Sequence, residues 1–286
     1  MEIDKFKTEE KVTWCQGCGN FGIWVALRQA FLELGWGPED VLLVYGIGCH
    51  GHMINYLNNY GFDALHGRGL PLAQGAKLAN KNLNVIVIAG DGDQFGEGGN
   101  HFIHAARRNL DITCIIHDNQ IYGLTVGQTS PTSEKGFVTK STPHGAPDQP
   151  VNPISLSLAS EASFVARGFS GDVKHLTKLF VDGLKHKGFS VIDVLQPCVT
   201  LNHLNTFQYF FQRVYKLDEA GHNHNDKISA FTKSFEWGDK IPIGLFYKEE
   251  RPILEELLPQ LKPEEKSLVD QDIYNIEIKS LFEEFK

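Results

Sequence analysis

Gly90-Asp91-Gly92 and Asn119 are the residues whose types and spacing point most directly to chemistry. The triplet opens where one apolar run, NVIVIAG (84–90), ends; the asparagine ends the next, DITCIIHDN (111–119), and 26 residues separate Gly92 from Asn119. A diphosphate is held through a hard divalent cation, and Mg2+ takes an octahedron of oxygens, one or two of them from protein side chains. Asp91 can supply a carboxylate, Asn119 an amide oxygen and Ile121 a backbone carbonyl. Gly90 and Gly92 let backbone N–H groups approach phosphate oxygens, and a helix starting just beyond would add its positive end. Taken singly, GDGD reads as an acidic turn and DNQ as an Asx turn. Together, at successive strand ends, they read as a metal–diphosphate site.

Four of the five cysteines also sit beside glycine or proline: Cys15 and Cys18 in WCQGCGN, Cys49 in GIGCHG and Cys198 in QPCVT. A close pair with two distant partners is the pattern of a four-thiolate site, which zinc or a [4Fe–4S] cluster can occupy. The spacing alone leaves the two open. The place of Cys49 between Gly48 and His50, in a loop expected at the cofactor, favours a redox centre. Cys114 lies mid-strand among isoleucine and threonine and reads as core packing. There is no C-x2-C-x2-C-x3-C-P run, hence no ferredoxin-like module.

Among the twelve histidines, His50 and His52 follow Cys49 and could contact a substrate carboxylate or phosphate, as a cation or as a neutral donor. His66, in LHGRG, could donate a hydrogen bond near the diphosphate, with Arg68 structural. His101 and His104, one turn apart, read as a helix face; His222 and His224 read as solvated loop residues.

Holding these groups requires strands that empty into loops. Buried strands are read at DVLLVYGIG (40–48), 84–90, 111–119, ASFVARGFS (162–170) and FSVIDVLQPC (189–198), with helices at 22–35, 70–80, 101–109 and 173–187. The alternation predicts an α/β fold, a doubly wound and mostly parallel sheet, with ligands beyond the carboxyl ends of its strands. The expected division is a cofactor domain over 1–200 and an extension over 201–286 that packs on it or on a partner subunit. From EERPILEELLPQLKPEEK onward that extension reads as a solvated helical tail.

The string GDGDQFGEGGNHFIHAARRNLDITCIIHDNQIYGLTVGQTSP, with WCQGCGN, GIGCHG, QPCVT and GDKIPIGLFYKEERP, resembles the β subunits of 2-oxoacid:ferredoxin oxidoreductases over roughly residues 11–250. The resemblance implies the diphosphate-domain fold of thiamine-diphosphate enzymes. It also implies an activity: oxidative decarboxylation of a 2-oxoacid with coenzyme A to acyl-CoA and CO2, electrons passing through a [4Fe–4S] cluster to ferredoxin. By the same resemblance, Asp91, Asn119 and the Ile121 carbonyl bind Mg2+, and Gly92, Asp93, Gly123 and Leu124 line the diphosphate. Ile47, Gly48, Cys49 and His50 approach thiamine diphosphate from a second loop and His66 from a third, and Cys15, Cys18, Cys49 and Cys198 hold the cluster. Small hydroxyl residues often follow the third cysteine in this family. Here His50-Gly51-His52 stands there, so pyruvate, 2-oxoglutarate and branched or aryl oxoacids all remain open.

Thiamine enzymes hold their cofactor between two α/β domains, and only one fits in this chain. No glutamate stands in a context suited to the aminopyrimidine. A larger α subunit with the aminopyrimidine-binding domain is therefore expected. Composition (286 residues, 42% hydrophobic, 22% charged) is that of a globular protein. The apolar runs are too short for a bilayer, and the charged MEIDKFKTEEKVTW has no signal-peptide core, so a cytoplasmic location is expected. A net charge of −8 without a lysine/arginine block disfavours nucleic acid and membrane partners. Two other readings are a non-oxidative thiamine-diphosphate decarboxylase or ligase subunit with structural zinc, and a non-catalytic nucleotide-binding module.

Overall fold

The apolar runs become strands in the computed structural model, which describes residues 3–262, 264–272 and 278–283. The strands are β1 (Val41–Tyr45), β2 (Tyr60–Asp63), β3 (Asn84–Gly90), β4 (Ile112–Asp118), β5 (Phe164–Phe169), β6 (Ser190–Leu195), β7 (Val214–Lys216) and β8 (Ile241–Lys248). They form one eight-stranded sheet in the order β2-β1-β3-β4-β6-β5-β8-β7. Neighbours run parallel except β5 and β8. The α-helices among the described residues are α1 (Asn20–Glu33), α2 (Gly69–Ala79), α3 (Gly99–Arg108), α4 (Pro153–Ala159), α5 (Val173–Lys185), α6 (Phe207–Phe211), α7 (Lys227–Ser234), α8 (Leu254–Leu257) and α9 (Lys279–Glu283).

Two apolar cores lie on the two faces of the sheet. Trp24, Leu27 and Phe31 of α1 and Leu176 and Phe180 of α5 build one. Leu70 of α2, Phe102 of α3, Leu158 of α4 and Ala230 of α7 contribute to the other. With helices on both sides, β4, β5 and β6 are buried at every residue, which explains their unbroken apolar character. Burying each large aliphatic side chain contributes about 1.5–3 kcal/mol. One ion pair interrupts the apolar layer: Arg167 Nε meets Asp193 Oδ2 at 2.9 Å, both buried.

The five strands and four helices read from the sequence are present. The sequence reading did not include β2, β7, β8, α4, α6 or α7. β2 is an edge strand exposed at all four positions, without apolar alternation. β8 contains Pro242 and Gly244, residues that count against a strand. Its pairing with β5 means that residues after 201 extend the same sheet.

Two readings are corrected. The stretch from Glu249 holds short helices but is not solvated throughout: Ile253, Glu255 and Leu261 are buried, and Glu255 Oε1 accepts from Asp111 N at 3.1 Å. Burial raises the Glu255 pKa. Residues 263, 273–277 and 284–286 of that stretch lie outside the described residues. His222 is not solvated either, since its Nε2 sits 2.7 Å from the Phe246 carbonyl; His224 is exposed.

The chain leaves β1 toward the edge strand β2 and then returns past it to β3, on the other side. Connections that part in this way open a crevice at the carboxyl ends of the strands.

Candidate active site

The loops after β1, β3 and β4 meet at that crevice. Ile47 to His50, His66, Asp91 to Asp93, Asn119, Ile121, Gly123 and Leu124 all line one cleft there, so every residue expected at the diphosphate and its metal is brought together. The register that pairs Gly90 with His117 sets Asp91 and Asn119 at adjacent strand ends.

Asp91 is 2% exposed, and its Oδ2 accepts hydrogen bonds from Ser130 Oγ (2.5 Å) and Thr132 Oγ1 (2.6 Å). Burial pushes its pKa up to about 6 against the pull of those hydroxyls. A buried carboxylate short of counter-charge suits a cation. Thr132 Oγ1 also lies 2.8 Å from Asp118 Oδ1. One hydroxyl has one proton. Burial, with Asp193 and Asp91 nearby, holds the Asp118 pKa well up, and the Thr132 hydroxyl proton is shared between the Asp91 and Asp118 carboxylates.

The same segment braces the other half of the site. Ser133 Oγ donates to the Gln120 carbonyl at 2.6 Å, and Asn119 Oδ1 accepts from Ile121 N at 3.0 Å. Ser130, Thr132 and Ser133 were not anticipated, because TSPTS reads as plain loop. Hydroxyls spaced at one, three and four along a loop are the only signal the sequence offers.

The glycines of the motif also serve the packing of the loops. A Cβ on Gly92 would stand 2.3 Å from the Tyr122 ring, and one on Gly90 would stand 2.8 Å from His50 Cε1. They make room for neighbouring side chains. A single π-helical segment, Gly92–Glu97, follows the strand before α3 begins. Such segments are common at functional sites.

Asp93 Oδ1 accepts from Ile47 N (3.1 Å) and Gly67 N (2.8 Å), so this carboxylate ties the loops that carry Ile47 and His66. His66 Nδ1 stands 3.1 Å from Asp93 Oδ1 and 3.1 Å from Glu97 Oε2. His50 is buried, and burial with His66 nearby lowers its pKa to about 3. It is neutral, which leaves only the neutral role of the two open to it. His52 is exposed and lines a different cavity. Arg68 contacts His101, and Arg107 Nη1 lies 3.5 Å from His104 Nδ1, so these histidines belong to a surface network.

That second cavity, of ≈ 280 Å³, is lined by Cys15, Cys18, Cys49 and Cys198 together. Gln196 Nε2 donates to Cys18 Sγ at 3.4 Å, and Gly19 N donates to the Pro197 carbonyl at 3.1 Å, closing the Cys15–Cys18 turn onto the Cys198 loop. Burial and the other three thiols push the Cys18 pKa up to about 12. Asn20 also lines the cavity, and its buried Nδ2 has no hydrogen-bond partner among the described residues. Cys114 is buried within β4, as expected of a packing residue. Cys49, Asn119, Gly123 and Leu124 line both cavities and form the wall between them.

Comparison with known proteins first defines a class. Residues 46–194 match the family model of the thiamine pyrophosphate enzyme C-terminal TPP-binding domain, and residues 198–263 match the model of the C-terminal part of the pyruvate ferredoxin oxidoreductase β subunit. The chain is 50% identical to the 2-oxoacid:ferredoxin oxidoreductase subunit beta of Saccharolobus solfataricus, over 83% of this chain and 82% of that protein. It is 36% identical to the 2-oxoglutarate synthase subunit KorB of Archaeoglobus fulgidus, over 91% and 92%. A solved 2-oxoglutarate:ferredoxin oxidoreductase from Magnetococcus marinus, with 2-oxoglutarate, coenzyme A and succinyl-CoA bound, superposes with a TM-score of 0.92 at 34% identity, covering 100% of this chain and 96% of that one. The chain belongs to the family of 2-oxoacid:ferredoxin oxidoreductase β subunits. It is thus an oxidoreductase subunit with a thiamine-diphosphate-enzyme domain, and the non-oxidative and non-catalytic readings fall away.

Proposed function

We propose that this β subunit grips the diphosphate of thiamine diphosphate through Mg2+ and passes the reaction's electrons to a [4Fe–4S] cluster on its own four cysteines. The whole enzyme then converts a 2-oxoacid and coenzyme A to acyl-CoA and CO2, with ferredoxin as acceptor. The observation that carries this reading is the shared wall: Cys49, Asn119, Gly123 and Leu124 face the diphosphate cleft on one side and the thiol cavity on the other. Two redox partners so placed are separated by little more than a loop.

Residue chemistry supports each assignment. Asp91, Asn119 and the Ile121 carbonyl offer oxygen donors only, the set that Mg2+ prefers, with phosphates and water completing the octahedron. Ser130 and Thr132 orient Asp91. The four cysteines line one cavity beside the diphosphate cleft, where a redox centre has a use and a structural zinc has none. Gln196 Nε2 and the unpartnered Asn20 Nδ2 can donate hydrogen bonds to cluster sulfur. When bound, the thiazolium supplies the electron sink for decarboxylation. This chain's residues fix its diphosphate, exclude water along the Gly123–Leu124 wall and set the thiols beside it.

The same reading assigns cofactor holding to residues 1–200 and packing, on that part and on a partner, to 201–286. The cleft encloses only ≈ 70 Å³ and no glutamate among the described residues lines it, so it is completed by an α subunit that brings the aminopyrimidine-binding domain. Ile47, Leu65 and Leu124, exposed near its mouth, suit that contact. His50 and His52 are assigned to substrate contact and selectivity. Five free cysteines suit the reducing cytoplasm. No helix among the described residues is long and apolar enough to cross a membrane. Assay of the reconstituted complex without oxygen tests the proposal: acceptor reduction must require a 2-oxoacid, coenzyme A, thiamine diphosphate and Mg2+. Reduction that persists without thiamine diphosphate overturns it.

A further inference from the structure

One buried amide joins the loop of Cys198 to the loop of Asn119. Asn202 is 1% exposed, and its Oδ1 accepts from Leu204 N (3.1 Å) and Asn205 N (3.0 Å). Only the oxygen of an amide can take two N–H donors, so those bonds fix which way the group points. Nδ2 therefore donates to the backbone carbonyl of Asn119 and to Asn205 Oδ1, each at 3.0 Å. Two donors and two acceptor positions are all used, which leaves the amide no second orientation. The backbone N of the same residue donates to the Cys198 carbonyl at 3.1 Å.

The peptide that Asn202 grips is the one leading into Gln120, a non-glycine residue at φ 57°. Such a conformation persists where surrounding bonds enforce it. Here Asn202 holds one end of Gln120 and Ser133, through the Gln120 carbonyl, holds the other. The turn so held aims the Asn119 amide oxygen and the Ile121 carbonyl. A displacement of the Cys198 turn is passed to it through a saturated, water-excluded contact.

We propose that Asn202 is a positioning residue that couples the cluster loop to the metal–diphosphate loop, so that each cofactor senses the state of the other. The proposal rests on the cofactor assignment above. Coupling of this kind is reciprocal: whatever the cluster's redox state does to thiamine diphosphate affinity, thiamine diphosphate does to the cluster's potential.

The test uses the assembled complex, purified without oxygen, as parent, Asn202→Ala and Thr132→Val. Thr132 touches the metal loop but not the Cys198 loop, so it serves as the one-sided control. Iron content, Mg2+-dependent thiamine diphosphate affinity, and the reduced cluster's electron paramagnetic resonance spectrum and potential are measured on each. Asn202→Ala is expected to retain iron, to bind thiamine diphosphate about tenfold more weakly and to shift the spectrum and potential. Thr132→Val should lower affinity and leave the spectrum alone. An Asn202→Ala complex in which either readout stays at the parent value overturns the coupling. Should that variant fail to assemble, the parent itself decides: affinities for thiamine diphosphate that differ by about twofold or more between oxidised and dithionite-reduced complex support it, and equal affinities overturn it. A parent lacking iron sinks the cofactor assignment and this proposal together, whereas iron and thiamine diphosphate bound independently sink only the coupling.

Discussion

Asp91 is the residue on which the metal assignment turns, and its surroundings say how it should respond to change. Removing its carboxylate takes away the group that offsets the cation's charge, so Asp91→Ala should abolish measurable Mg2+-dependent thiamine diphosphate binding. Asn119→Ala, which removes a neutral donor, should weaken it less. Iron content should stay at the parent level in both, as checked by calorimetry alongside metal analysis. Thr132→Val keeps the shape but removes one of two hydroxyls on Asp91 Oδ2; affinity should fall by about 10–100-fold, the usual effect of losing a group that orients a metal ligand. Remote from the site, His186 is buried with Nε2 2.8 Å from Ser163 Oγ. Burial, and then Lys248 nearby, lowers its pKa from 6.5 to about 4. The unfolded chain therefore binds this proton first as pH drops. The contribution is complete above pH 6.5 and is lost as pH falls from there toward 4. Its size is at most about 3 kcal/mol, reduced by solvent screening. In denaturant titrations at pH 7 and pH 5, His186→Gln should show a smaller drop in stability than the parent.

At the level of elements, strand ends deliver the chemistry and glycines decide how closely the loops approach. Gly92 opens the π-helical segment against the Tyr122 ring, so Gly92→Ala must push Tyr122 and the Gly123–Leu124 wall aside. The variant should remain folded by circular dichroism and lose thiamine diphosphate binding. Gly75 is the contrasting case: it lies exposed within α2, and a methyl added there would meet nothing within 4 Å. Gly75→Ala should raise stability by about 0.5–1 kcal/mol, because alanine loses less backbone entropy on entering a helix. A fall in Tm for Gly75→Ala would mean that α2 is not helical at that position. Central strands and amphipathic helices were legible because their periodicity is forced by burial. β2 and β8 were not: one is exposed throughout, and the other is broken by Pro242 and Gly244, so neither carries the pattern that burial imposes.

For the molecule as a whole, the cleft and the thiol cavity make different demands. The thiol cavity is lined by turns of this chain before α1, after β1, after β4 and after β6, and all four cysteines belong to it. The isolated chain, prepared without oxygen, should therefore be brown and carry about four irons, as a single [4Fe–4S] cluster requires. Cys15→Ser or Cys198→Ser should bleach it, and stoichiometric zinc in its place would refute the cluster. The cleft needs a second wall. The same brown chain should reduce no acceptor from any 2-oxoacid until the larger subunit is added, and turnover by the chain alone would refute the two-subunit arrangement.

Residue types at strand ends were enough to pick out Asp91 and Asn119, which line one cleft, and four cysteines that line one cavity, because a metal-bound diphosphate and a thiolate site would each demand specific atoms at specific turns. Those demands are local and survive in the sequence. Three things needed the tertiary structure. Ser130, Thr132, Ser133 and Asn202 act by reaching across from distant loops, and a lone hydroxyl or amide carries no sign of its partner. The neutrality of His50 comes from burial beneath the cleft, which composition cannot show. That the diphosphate cleft and the thiol cavity share a wall follows from the order of β1, β3, β4 and β6 in the sheet, a property of packing that spacing along the chain does not encode.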